Sequence, residues 1–199
     1  MKTYIIFWDP DNKWYNLSEM SYLIENGMCG ESYVRPWGLT TSKDIKEGDR
    51  FFMICTKRNW PKGVSTYDYL RSSKSCCCGM GIVPSASKFY NLDGVCFGGF
   101  FTSEPYKAED SDVMITDMRF EFAILPGLFP IIHLSRLKKD IPNFDWTRKK
   151  GDYLIEGEDE RKFLEIISKW MKSSKMEESD FTNFTNRYLP RAHKNLFGE

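Results

Sequence analysis

With two histidines, six cysteines and no Gly-x-Ser-x-Gly elbow, the chain has few residues for nucleophilic or metal chemistry. His133 sits in the apolar run Ile131-Ile132-His133-Leu134 and His193 lies far down the chain, and both read as structural side chains. Cys76-Cys77-Cys78 are consecutive, so their side chains diverge, and the spaced Cys-x-x-Cys pairs that build zinc sites are missing. The nearest glycine pattern, Gly79-Met80-Gly81, lacks a third glycine and a helix start behind it, so no phosphate cradle is expected. No metal, no cofactor and no catalytic residue is therefore expected. What remains is aromatic chemistry: 6 Trp, 10 Tyr and 15 Phe make 16% of the chain. Trp8, Trp14, Trp37 and Tyr106 stand at the ends of predicted elements, where a sheet presents ligand groups. A tryptophan face suits a planar ring or a methylated base, with Arg35 or Arg50 supplying charge. Trp37, beside the small polar Gly38, Thr40 and Thr41, is the leading ligand contact. The competing role for such rings is to lid the core.

Charge narrows the partner class. Lys+Arg and Asp+Glu are 28 each among 199 residues, which excludes a basic coat acting as a nonspecific polyanion glue. Two segments depart from that balance. Residues 57–75 carry Lys57, Arg58, Lys62, Arg71 and Lys74 against Asp68, and residues 136–150 carry six cations against Asp140 and Asp145, each a local +4. Solvated loops with ordinary lysines would look the same, one segment at a time.

The elements that must position these groups follow from run length and punctuation. Residues 3–8 and 50–56 read as buried strands, the first ended by Asp9-Pro10-Asp11-Asn12, with further strands at 79–83, 95–103 and 113–122. Residues 33–37 contain Arg35-Pro36, which holds the chain extended and predicts a short edge strand or a loop. Helices are expected from Ser18 to Gly27, as a single turn from Ser42 to Ile45, from Ser135 to before Ile141-Pro142, and over 158–172. The order predicts an α+β fold, a mixed, curved β-sheet or small open β-barrel flanked by a few short helices. A core domain over 1–172 is followed by an extension over 173–199, in which Phe181, Phe184 and Tyr188 stand at helical spacing to dock as a helix or on a partner. The apolar start is too brief for a signal-peptide core or a membrane span, and the cysteines suit a reducing compartment, so a cytoplasmic chain with no membrane partner is expected.

A strand ending at Trp8-Asp9-Pro10, Trp37 followed by Lys46-x-Gly48-Asp49-Arg50-Phe51-Phe52-Met53, a Gly81-Ile82-Val83 strand, and the run from Gly98-Gly99 through Ser103-Glu104-Pro105-Tyr106 resemble the PUA-like superfamily. Within it the order looks most like EVE-type domains, relatives of YTH and ASCH domains. Ile141-Pro142-x-Phe144-Asp145-Trp146 ahead of an amphipathic helix is similar to an uncharacterised bacterial branch, so the likeness spans about residues 1 to 172. A long insertion at 57–75 and Arg148-Lys149-Lys150-Gly151 in place of a glycine-rich turn depart from it. The resemblance implies a non-enzymatic module that holds a modified or flipped base in an aromatic pocket while basic surface tracks an RNA or DNA backbone. It points to Trp8, Asp9, Arg35, Trp37, Ser103 and Tyr106 as ligand contacts, and to Lys57, Arg58, Lys62, Arg71, Lys74, Arg148, Lys149 and Lys150 as backbone contacts. Two other readings stay open: a small hydrolase acting on a nucleotide-like or amide substrate, including a thiol-dependent one, and a protein-interaction module using the tail.

Overall fold

The structure is a computed structural model that describes residues 1–9, 33–39, 41–42, 44–56, 93–109, 111–123, 132–173 and 189–198. The expected helix at 18–27, the strand at 79–83, Trp14, Cys29, Cys76-Cys77-Cys78, Phe181, Phe184 and Tyr188 lie outside the described residues.

The described strands form one open, curved, mixed sheet, flanked by three helices, so the fold is α+β. The strands are β1 (Thr3–Trp8), β2 (Tyr33–Gly38), β3 (Arg50–Cys55), β4 (Gly94–Phe101), β5 (Tyr106–Lys107), β6 (Met114–Ala123) and β7 (Gly151–Ile155). Their order is β2-β6-β4-β3-β1-β7, with β5 continuing along β6 from the end of β4. Every residue of β1 and β3 is buried, as runs of Ile, Phe, Met and Trp require, and these two strands pair in parallel in the interior of the sheet. β2 is the outermost of the described strands on that side, a position that tolerates Pro36, which has no amide hydrogen for a ladder bond.

Curvature comes from two register shifts in β4, at its pairing with Met53/Ile54 and at Gly98/Gly99. A Cβ on Gly99 would stand 1.9 Å from the backbone oxygen of Arg119, so only glycine lets β4 and β6 approach this closely.

One sheet face is covered by helices. α1 (Leu134–Asp140) starts from His133, which bridges to Gly94. α2 (Gly157–Ser173) carries Glu158, Asp159 and Glu160 in its first turn and Lys172 in its last, matching the helix dipole. Its buried Phe163, Ile167 and Met171 recur every four residues, and Phe163 meets Phe52 edge-on at 5.1 Å. α3 (Leu189–Phe197) buries Leu189, Ala192, His193 and Leu196 against α2 and β6. The other face is aromatic, with Phe51, Phe97 and Phe120 in edge contacts at 5.2 to 5.9 Å.

β5 and β7 were not expected from the sequence, and two expected elements start differently. Thr41 and Ser42 do not start a helical turn: their backbone amides and hydroxyls bind Asp152 of β7, a carboxylate only 1% exposed, with the Ser42 amide donating at 2.5 Å. α1 begins one residue ahead of Ser135, capped by the backbone of His133. Among the described residues no helix is long and apolar enough to cross a membrane.

Candidate nucleic-acid interface

The predicted aromatic contacts are brought together only in part. Trp37 pairs with Thr116 and Tyr106 with Ile115, neighbouring residues of β6 that point to opposite faces. Trp37 and Tyr106 therefore do not line one pocket. Trp37 is 7% exposed and belongs to the core, whereas Tyr106 is 41% exposed and donates its phenol to Asp117 at 3.1 Å. Burial, and then Asp117, push the Tyr106 hydroxyl above its ordinary pKa. Ser103 is a turn lock: its hydroxyl accepts the Asp117 amide at 2.9 Å and its carbonyl accepts the Thr116 hydroxyl at 2.9 Å. Arg35 lies opposite Met118, with its guanidinium 5.3 Å from the Tyr33 ring centroid.

Trp8 and Asp9 stand at the other end of the strands, where Trp8 pairs with Cys55 and Cys55 with Gly94. Trp8 is 2% exposed and edges Phe97 at 5.7 Å, so its ring is also core. Sequence alone locates tryptophans at strand ends but not the face they take, because the face depends on a register that only pairing sets.

The basic residues converge more closely. The amide of Thr56 donates to the Trp8 carbonyl at 3.0 Å, and its hydroxyl donates toward the Lys149 carbonyl at 3.4 Å. Arg148, Lys149 and Lys150 thus sit at the end of the sheet where β1 and β3 finish. The first basic segment follows Thr56 directly in the chain, although Lys57, Arg58, Lys62, Arg71 and Lys74 themselves lie outside the described residues. α1 starts beside Gly94 at the same end and brings Arg136, Lys138 and Lys139. Arg136 and Arg148 are tied to Asp140 and Asp145 at 3.3 and 3.1 Å. Lys138, Lys139, Lys149 and Lys150 are exposed and have no carboxylate partner among the described residues.

The opposite end of the sheet is acidic. Lys2 pairs with Asp44 at 2.5 Å and lies near Asp49 and Glu156, ahead of the three carboxylates that open α2. The Asp44 contact raises the Lys2 ammonium and, with it, lowers the Asp44 carboxyl from their ordinary values.

His133 is half-exposed, with Nδ1 4.0 Å from Asp93, and His193 is buried between α2 and α3 with Nε2 2.8 Å from the Ser168 hydroxyl. The Ser168-His193 pair sits in a helix-helix contact, and His193 also stacks on Phe197 at 4.8 Å.

No family model matches the chain, and no curated protein matches it. Among solved structures it is similar to a structural-genomics crystal structure of protein PSPTO5229 from Pseudomonas syringae, with 13% identity, a TM-score of 0.46, and coverage of 82% of this chain and 98% of that one.

Proposed function

We propose that the protein is a nucleic-acid-binding module of PUA-like type, holding the phosphate backbone of RNA or DNA at the lysine-bearing end of its sheet. The observation that carries this reading is a set of four exposed lysines with no carboxylate partner among the described residues: Lys149 and Lys150 stand at the strand ends where the basic segment after Thr56 also begins, and Lys138 and Lys139 lie on the helix that starts beside Gly94. Lysines already paired to carboxylates would lose that attraction on meeting a phosphate. Unpaired ones gain it, and release the counterions condensed on the polyanion. The order of motifs that resembles EVE-type domains supports the same class, and a curved mixed sheet is compatible with it. The acidic character of the far end gives the module a preferred orientation toward a polyanion. A cytoplasmic site of action accords with the many cysteines and belongs to this proposal.

Four lysines contacting a single strand predict a slope of log K against log salt of about −2.8, or roughly a 50-fold loss of affinity between 50 and 200 mM salt. Fluorescence anisotropy with short RNA and DNA strands measures it. Changing Lys138, Lys139, Lys149 and Lys150 to Gln flattens the slope and weakens binding to all sequences alike. Binding that ignores both salt and these substitutions rules the reading out.

A further inference from the structure

Beside Lys149 and Lys150 the chain builds a stacked platform that counting charges does not reveal. The guanidinium carbon of Arg148 lies 3.7 Å from the centroid of the Tyr153 ring and 5.9 Å from that of Phe144. Beneath them Phe7 meets Tyr153 edge-on at 6.0 Å and stacks with Phe144 at 6.5 Å, and Trp146 contacts Phe144 at 4.6 Å.

Each part of this stack is fixed independently. Trp146 is 2% exposed and donates its indole N–H to the Ile141 carbonyl at 2.7 Å, which pins the loop to the core. The Asp145 carboxylate accepts the Thr147 hydroxyl at 2.6 Å and the Thr147 amide at 3.1 Å on one oxygen, and Nε of Arg148 at 3.1 Å on the other. Gly151, at φ +108°, lets the Tyr153 ring fold back over the backbone, where a Cβ would come within 2.8 Å of the ring. The ring is held there by its hydroxyl donating to the Lys150 carbonyl at 3.3 Å.

The guanidinium is therefore pre-organised, with Nε engaged by Asp145 and, among the described residues, no hydrogen-bond partner at the two terminal nitrogens. Its side chain stays 34% exposed. A phosphate is poorly suited to this position, because the Asp145 carboxylate stands beside it and the unpaired lysines are better placed. A neutral planar ring suits it well: guanidinium planes stack on bases, and the terminal N–H groups can donate to base acceptors.

We propose that Arg148 is a base-stacking residue, on whose outer face an unpaired nucleobase extends the Tyr153-Arg148 stack while Lys149 and Lys150 neutralise the adjoining phosphates. This rests on the reading that this end of the sheet binds nucleic acid. It narrows the ligand to a strand with unpaired bases, since a duplex keeps its bases stacked inside.

The test uses the full chain and fluorescein-labelled 12-nucleotide single strands, in RNA and DNA forms, each with bases and as an abasic strand of equal charge. The wild type should prefer the base-containing strand by about fivefold to 140-fold, the range one stacked base provides. Arg148→Lys keeps the charge but not the plane, and should abolish that preference while leaving the salt slope unchanged. Lys149→Gln with Lys150→Gln should weaken both strands alike and keep the preference. A 2-aminopurine base in the strand should be quenched on binding the wild type and not on binding Arg148→Lys, and the RNA and DNA arms show which sugar carries the base. Equal wild-type affinity for base-containing and abasic strands overturns the stacking role and leaves the phosphate reading standing, and so does a preference that survives Arg148→Lys. No salt-dependent binding to any strand overturns both.

Discussion

Replacing Gly99 with alanine tests whether β4 and β6 need glycine to approach each other. Gly99 pairs with Phe51 on one side and Phe120 on the other, and a Cβ there would stand 1.9 Å from the Arg119 carbonyl oxygen and 3.0 Å from the Phe51 ring. To restore even a 3.0 Å contact, β4 and β6 must separate by about 1.1 Å, which stretches ladder hydrogen bonds of about 2.9 Å to about 4 Å and breaks them. Two ladder bonds at about 1 kcal/mol each and an overpacking cost of about 1–3 kcal/mol give a destabilisation of about 3–5 kcal/mol. Against a total stability of about 5–15 kcal/mol that is a large share, and it corresponds to a fall in Tm of roughly 6–20 °C. Urea unfolding followed by tryptophan fluorescence measures it, with Gly38→Ala as the control, because the nearest atom to a Cβ on Gly38 is a Val113 methyl at 3.8 Å. The control should stay within about 0.5 kcal/mol of wild type. If Gly99→Ala does the same, the approach of β4 and β6 does not depend on glycine.

Two further outcomes follow from buried or held groups. Cys55 and Cys96 are both buried, and burial pushes the Cys96 thiol well above its ordinary value, with Cys55 beside it. Peptide mass mapping after iodoacetamide treatment at about pH 8 should find both unmodified in the native protein and labelled in urea; labelling at the rate of a free thiol would contradict the packing. The Asp145 carboxyl is held below its ordinary value of 3.8, first by the Thr147 hydroxyl, then by the Thr147 amide and Arg148. Its native form binds the proton more weakly than the unfolded form, so its stabilising contribution is complete above about pH 3.8 and is lost as pH falls through the native value. Asp145→Asn should melt below wild type at neutral pH, and the two melting curves should converge as the medium is acidified past that point. A constant gap down to pH 2 would mean that ionisation of Asp145 is not what the substitution removes.

β1 and β3, apolar after an opening Thr3 and Arg50, were legible because short runs rich in aromatic and β-branched residues, closed by turn residues, suit a strand buried on both faces. β7 was not: Gly151 and Asp152 dilute its apolar run, and it is a strand because β1 offers an unpaired edge from the far end of the chain. The turn expected after Ser42 lost to a tertiary competitor, since Asp152 takes the amides that a helix would have left unpaired. At the candidate interface, charge runs marked Arg148, Lys149 and Lys150 but could not separate a paired, stacked arginine from free lysines. That distinction depends on Gly151 folding Tyr153 back toward Arg148, a contact set by one backbone angle rather than by spacing.

The position of β1 bears on how the protein is made. Thr3 pairs with Arg50, 47 residues on, and with Ile155, 152 residues on. Synthesis at about 5–20 residues per second leaves roughly 8–30 s between the making of β1 and the arrival of its second neighbour. For that interval Tyr4-Ile5-Ile6-Phe7-Trp8 lacks one of the two strands that enclose it in the native state. A nascent chain of this kind is a natural client for hydrophobic-binding chaperones, and the last of the described strands to emerge, not the first, decides when the sheet can be completed.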